Sequence, residues 1–231
     1  MSMWTTDMAD MARAAGLTVI ETPDWKTRGT NYRGGQVALN GLIDHHTATP
    51  DKFPGDMPTL KWLMFGGTNY PPPVANWGLG RSGICYAVAA GRANHAGPVH
   101  AHLRDTFGNG RSHGIEAENS GVSGPWPDVQ MEAYARLTAA YHLYYGVEYD
   151  AHKNVRPGKV DPSFDWPEFV AEVERHARIL RAHGFAKGKY PAEPVSLTAT
   201  ETAPSKWTTP EGDDPAYLSL GHQHPKVQEV Q

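Results

Sequence analysis

The chain has 231 residues, 39% of them apolar, which is enough for one full core with some chain left over. Its formal net charge of −4 excludes a protein that binds nucleic acid through overall charge, because neutralising phosphates needs clustered Lys and Arg. A neutral or zwitterionic ligand fits better, and the single cysteine, Cys85, excludes an internal disulfide framework.

The opening run, residues 1–10, lacks the basic and apolar regions of a secretory leader. No later stretch approaches the roughly 20 apolar residues that cross a bilayer. These features lead us to expect a monomer made in a cytoplasm, with no membrane span.

In chain order, the first strong strand signal covers residues 37–44, where Val37, Leu39, Leu42 and Ile43 precede the polar run His45-His46-Thr47-Ala48-Thr49-Pro50. A buried strand that ends in histidines presents them at its mouth. Residues 50–73 mix helix-like spacing at Leu60, Trp62, Leu63 and Phe65 with breakers from Gly66 to Pro73, which predicts a short helix and a groove-lining loop. A hairpin is predicted over 77–90, with its turn at Arg81-Ser82-Gly83, and a short strand over 114–118 that puts Glu116 and Glu118 on one side. Helical spacing follows over 126–145, after Pro127, and over 166–183, where Asp165 is a candidate N-cap and Gly184 a stop. The predicted fold class is α/β, a mixed central sheet flanked by helices. From Pro191 the composition turns to Pro, Thr, Ser, Glu and Asp, so the expected division is a domain over 1–190 and a linker over 191–217.

A catalytic zinc takes three protein ligands from His, Asp, Glu or Cys and leaves one position to water. His45 or His46, together with His152 and Asp161, supplies a matching set, and Pro157 and Gly158 let the loop between the last two turn back. Spacing alone leaves Asp161, which precedes Pro162, equally open to capping the next helix. Cys85 reads as a small buried hydrophobe.

Four blocks decide between these readings. They are His45-His46-Thr47-Ala48-Thr49, Arg92 to Gly97, Gly114 to Asn119, and His152 through Lys159-Val160-Asp161-Pro162 to Trp166. In order and chemistry they resemble the type 2 N-acetylmuramoyl-L-alanine amidase family, which includes phage endolysins and peptidoglycan recognition proteins. The likeness covers about residues 36–180 and implies a zinc site in a groove at the sheet edge. By that resemblance the ligands of Zn2+ are His45, His152 and Asp161, the last at a position where other members use Cys. It also implies Glu116 as general base and Lys159 facing the scissile carbonyl oxygen. His46, Asn76, His95 and Asn119 are then substrate-binding candidates. One departure is Ala75, where several members carry a tyrosine, so any role for a tyrosine hydroxyl shifts to Glu116.

The implied activity is hydrolysis of the amide between N-acetylmuramic acid and L-alanine in bacterial peptidoglycan, with a phage endolysin as the expected context. The alternatives are a recognition module that binds without cutting and a zinc peptidase acting within the stem peptide. Residues 218–231, through Leu218, Gly221, Val227, Val230 and Gln231, resemble the opening of a helical peptidoglycan-binding domain.

Overall fold

The computed structural model describes residues 2–30, 34–123 and 125–197. The expected linker beyond 197 and the expected binding-domain start at 218–231 lie outside the described residues. Six strands form one mixed sheet in the order β1-β4-β3-β5-β2-β6. They are β1 (Val19–Glu21), β2 (Gly41–His46), β3 (Trp77–Leu79), β4 (Cys85–Ala87), β5 (Ser112–Ala117) and β6 (Glu148–Ala151). β3, β5, β2 and β6 run parallel to their neighbours in that order, while β4 pairs antiparallel to β3. Four carboxyl ends therefore open at one end of the sheet, the place where ligands bind in open α/β sheets.

All six residues of β2 and all six of β5 are buried, as expected of parallel strands covered on both faces. The period of two sorts their side chains. Leu42 joins the main core, together with Met8 and Met11 of helix α1 (Met8–Ala14) and with the helices α4 (Asp128–Tyr145) and α6 (Trp166–Ala182). Ile43 packs on the opposite face with Ala96, Val99, Phe107 and Val155. His45 follows Ile43 on that second face. Its register partner is Glu116, whose own partner across the sheet is Gly78.

The long helices begin where their first residues permit. Pro127 precedes α4 in an extended conformation, and the Asp165 carboxylate accepts the Glu168 N–H at 2.8 Å as N-cap of α6. Three further helices are short: α2 (Leu60–Phe65), α3 (Arg104–Phe107) and α5 (His152–Val155). α2 belongs to a separate apolar cluster with Val74, Val88 and Ala89.

The mixed sheet and its flanking helices agree with the sequence reading. The strand over 37–44 begins later than expected, because Val37 is 54% exposed and pairs irregularly with Gly110. α1, β1 and β6 carried no sequence expectation. Residues 191–197, expected to open the linker, still pack: Val195 is buried in the main core, and its N–H reaches the Ala14 carbonyl at 2.9 Å.

Candidate metal centre

His45, the last residue but one of β2, lies on the face away from α4, and β6, the neighbouring edge strand, delivers His152 one residue after its own end. The loop after α5 then brings back Asp161, whose carbonyl accepts the Lys153 N–H at 2.7 Å. His45, His152 and Asp161 are all buried, and each offers a ligand atom within 4.8 Å of the others. Asp161 Oδ2 lies 3.2 Å from His45 Nδ1 and 2.9 Å from His152 Nδ1. A tetrahedral zinc with bonds of about 2.0–2.1 Å has edges near ~3.4 Å. Both separations lie within about 0.5 Å of that edge, so small side-chain shifts would let the donor set close on such an ion.

The outer ring nitrogens fix the tautomers. His152 Nε2 lies 3.2 Å from the Ala96 carbonyl, which accepts only, so Nε2 carries the hydrogen. His95 Nε2 lies 3.1 Å from the Ser112 carbonyl and donates for the same reason. His95 Nδ1 is then an acceptor, and it takes the hydrogen of His45 Nε2 at 3.2 Å. In neutral rings both Nδ1 lone pairs therefore point at the Asp161 carboxylate, an arrangement of three acceptors that a cation satisfies. Burial, with the neighbouring His152, holds His45 well below the usual imidazole range and so neutral. Burial also pushes His95 down to about 3. Asp161 is raised by burial but lowered further by His152 and His45, and ends well below the usual carboxylate range.

Gly114 makes the relay possible. A Cβ there would lie 2.5 Å from His95 Cγ, so only glycine lets the ring lie against β5.

Glu116 is buried, its Oε1 3.9 Å from His45 Nδ1, and its Oε2 has no hydrogen-bond partner. Burial pushes its carboxyl well above the usual range, Asp161 adds to this, and Lys159 opposes it. Glu118 differs: its carboxylate accepts from the Thr47 hydroxyl at 2.9 Å and from Thr59 N–H at 3.1 Å, tying two loops together. Cys85 is fully buried and free, and burial pushes its thiol up to about 12.

A groove of about 360 Å³ opens over these residues. His46, His95, Glu116, His152, Lys159 and Asp161 all line it. His46 turns away from the ligand set, accepting the Ser163 N–H on Nδ1 at 3.2 Å and facing the Trp126 ring. Two residues expected to face substrate do not line the groove. Asn76 is fully buried; its amide donates to the Ala89 and Gly91 carbonyls and accepts from Gly114 N–H, so the sheet uses its whole side chain. Asn119 Oδ1 accepts the Gly121 N–H at 2.8 Å, closing a turn. The groove also holds Trp62 and Tyr70, from the segment expected to line one, and Asn94, Asn109 and Arg156, which were given no role in the sequence reading. The Trp62 and Tyr70 rings meet edge-on at 5.3 Å across the loop that was predicted to line a groove.

Several solved structures are similar in fold. The endolysin N-acetylmuramoyl-L-alanine amidase LysCS from Clostridium intestinale shares 18% identity over 68% of this chain and 95% of its own, with a TM-score of 0.48. AmpD shares 22% over 71% of this chain and 98% of its own, with a TM-score of 0.49. Drosophila PGRP-LB shares 18% over 63% and 88%, with a TM-score of 0.46. Among curated proteins no sequence matches. The family model described as N-acetylmuramoyl-L-alanine amidase matches residues 35–164. That span runs from before β2 to beyond Asp161 and exceeds half of the 231 residues, and on this ground the chain belongs to the type 2 N-acetylmuramoyl-L-alanine amidase family.

Proposed function

We propose that the protein is a zinc-dependent hydrolase that cuts the amide between the lactyl group of N-acetylmuramic acid and L-alanine in peptidoglycan. The observation that carries this reading is the convergence of three buried acceptors, His45 Nδ1, His152 Nδ1 and Asp161 Oδ2, beside a buried carboxylate with an unpartnered oxygen. A family member that only bound its ligand would have no need of that set.

His45, His152 and Asp161 would hold the ion. Zinc bound there supplies a Lewis acid and makes an adjacent water acidic near neutral pH. Glu116 contributes the proton acceptor: Oε2 takes the proton of the attacking water and later delivers it to the departing L-alanine nitrogen. The Lys159 ammonium, in the same groove, faces the negative charge that develops on the carbonyl oxygen. His95 acts through His45, holding its ring by the relay to the Ser112 carbonyl. No side chain forms a covalent bond to substrate in this scheme, consistent with a buried Cys85 of high pKa.

Metal analysis of the purified protein tests the site. One zinc per chain is expected, with occupancy lost in Asp161→Ala and retained in His46→Ala. Occupancy lost in His46→Ala but kept in His45→Ala would move the strand-end ligand one residue later.

A further inference from the structure

Behind the metal centre, on the α4 side of the sheet, the packing is polar where a core is ordinarily apolar. β2 turns Leu42 and Asp44 towards that side, and Asp44 is fully buried there. Tyr134 and Thr138 of α4, also fully buried, face it. Thr138 Oγ1 lies 3.3 Å from both carboxylate oxygens of Asp44. The Tyr134 hydroxyl donates to the His45 carbonyl at 2.9 Å, with the Ile115 carbonyl at 3.4 Å. A buried hydroxyl costs free energy that only its hydrogen bonds offset, and a bare phenyl ring would fill the same space without that cost. What Tyr134 adds thus lies in what its hydroxyl holds.

It holds the strand where the sheet narrows. β6 pairs with β2 as far as Asp44, opposite Ala151, while β5 pairs on to His46, opposite Ala117. From His45 onward, β2 has a neighbouring strand on one side only among the described residues, at the point where it delivers a proposed ligand. The bond from Tyr134 adds a fixed point there. The same corner of α4 reaches the other two ligands through their neighbours. Asp44, held by Thr138, is the register partner of Ala151, which precedes His152. The Tyr134 ring packs edge-on against Phe164 with centroids 5.9 Å apart, and Phe164 belongs to the loop that brings Asp161 back. Ile115, the second carbonyl beside the hydroxyl, precedes Glu116.

We propose that Tyr134, with Thr138 beside it, is a positioning residue for the metal centre: from the far side of the sheet the two hydroxyls hold the end of β2, so that His45 meets His152, Asp161 and Glu116 at a fixed spacing. The inference rests on the zinc reading above and adds to it side chains that touch neither ion nor substrate. Sites of this kind work only when the groups behind them fix the geometry to a fraction of an ångström.

The test compares Tyr134→Phe, which keeps the ring and removes the O–H, with Tyr141→Phe. Tyr141 is as deeply buried on the same helix, but its hydroxyl accepts the Trp77 N–H at 2.6 Å and lies 3.1 Å from His113 Nδ1, and neither partner lines the groove. Both variants should lose some stability in thermal melts. Only Tyr134→Phe should weaken zinc binding in chelator competition and lower kcat, each by about three- to tenfold with KM unchanged, because a misplaced ligand acts on the ion and on the transition state. Cobalt in place of zinc should give a shifted visible spectrum in Tyr134→Phe and the wild-type spectrum in Tyr141→Phe. Thr138→Val, which frees Asp44, should move zinc affinity and spectrum in the same direction, and it decides the matter if Tyr134→Phe does not fold. Wild-type zinc affinity, spectrum and kcat in Tyr134→Phe, or in Thr138→Val where that variant stands alone, would overturn the proposal, as would equal changes in Tyr141→Phe. Zinc bound by the wild type without cleavage of peptidoglycan, and still weakened in Tyr134→Phe, would sink the amidase reading and leave the positioning role standing.

Discussion

At the scale of single residues, the three proposed ligands come together because strand ends and one loop deliver them, and His95 then sets the tautomer of His45. If the Ser112 carbonyl orients His95, and His95 orients His45, removing the imidazole should loosen the ion without removing a ligand. His95→Ala is expected to weaken zinc binding by about 10–100-fold, as chelator competition would measure, with the fold intact by circular dichroism. Unchanged zinc affinity would show that His45 needs no such support. Glu116→Gln separates binding from chemistry: zinc occupancy should stay at one, while kcat falls by about 10²–10⁴-fold. A normal rate in that variant would move the proton acceptor elsewhere. That His45, His152, Asp161, Glu116 and Lys159 would gather at one place was legible in the sequence, because the family blocks keep local order and spacing. The relay was not, since it depends on His95 lying on Gly114 from a distant segment, and a glycine inside a strand gives no sign of what it admits.

At the scale of elements, α4 and α6 are joined by a charged cluster outside the core. Glu132 of α4 accepts from Arg136 at 2.8 Å and from Arg175 of α6 at 2.8 Å, with His176 Nε2 at 3.2 Å. Burial would raise the Glu132 carboxyl, but His176, Arg136 and Arg175 outweigh it and hold the pKa down to about 2. A carboxylate lowered on folding stabilises fully above its ordinary pKa of 4.5, and that contribution is lost as pH falls from there towards about 2. Glu132→Gln should therefore lower stability by about 1–3 kcal/mol at pH 7, with the gap to the wild type closing below pH 4.5. Denaturant melts across that range measure it, and a gap unchanged down to pH 2 would show that these contacts contribute no charge-linked stability. α2, α4, α6 and the hairpin were readable from periodicity and from Pro127, Asp165 and Gly184. β6 was not, because Glu148-Tyr149-Asp150-Ala151 is a four-residue edge strand with two acids and no β-branched residue, too short for its alternation to stand out. α1 escaped for the opposite reason: it is buried at five of seven positions and lacks a side-chain cap to mark its start.

At the scale of the whole molecule, the carboxyl ends of β2, β5 and β6 meet at one groove, while α4 packs on the other face of the sheet. No helix among the described residues is long and apolar enough to cross a membrane. Packing continues past the expected boundary at 190, where Val195 anchors the chain against α1, a contact that a composition shift does not reveal. The central claim is the bond that is cut. Mass spectrometry of purified peptidoglycan digested by the zinc-loaded protein tests it most directly, by locating each new amino group. The account predicts stem peptides released with a free L-alanine amine and glycan strands left with intact lactyl carboxylates. New amines within the stem peptide, or no cleavage alongside tight wall binding, would contradict it.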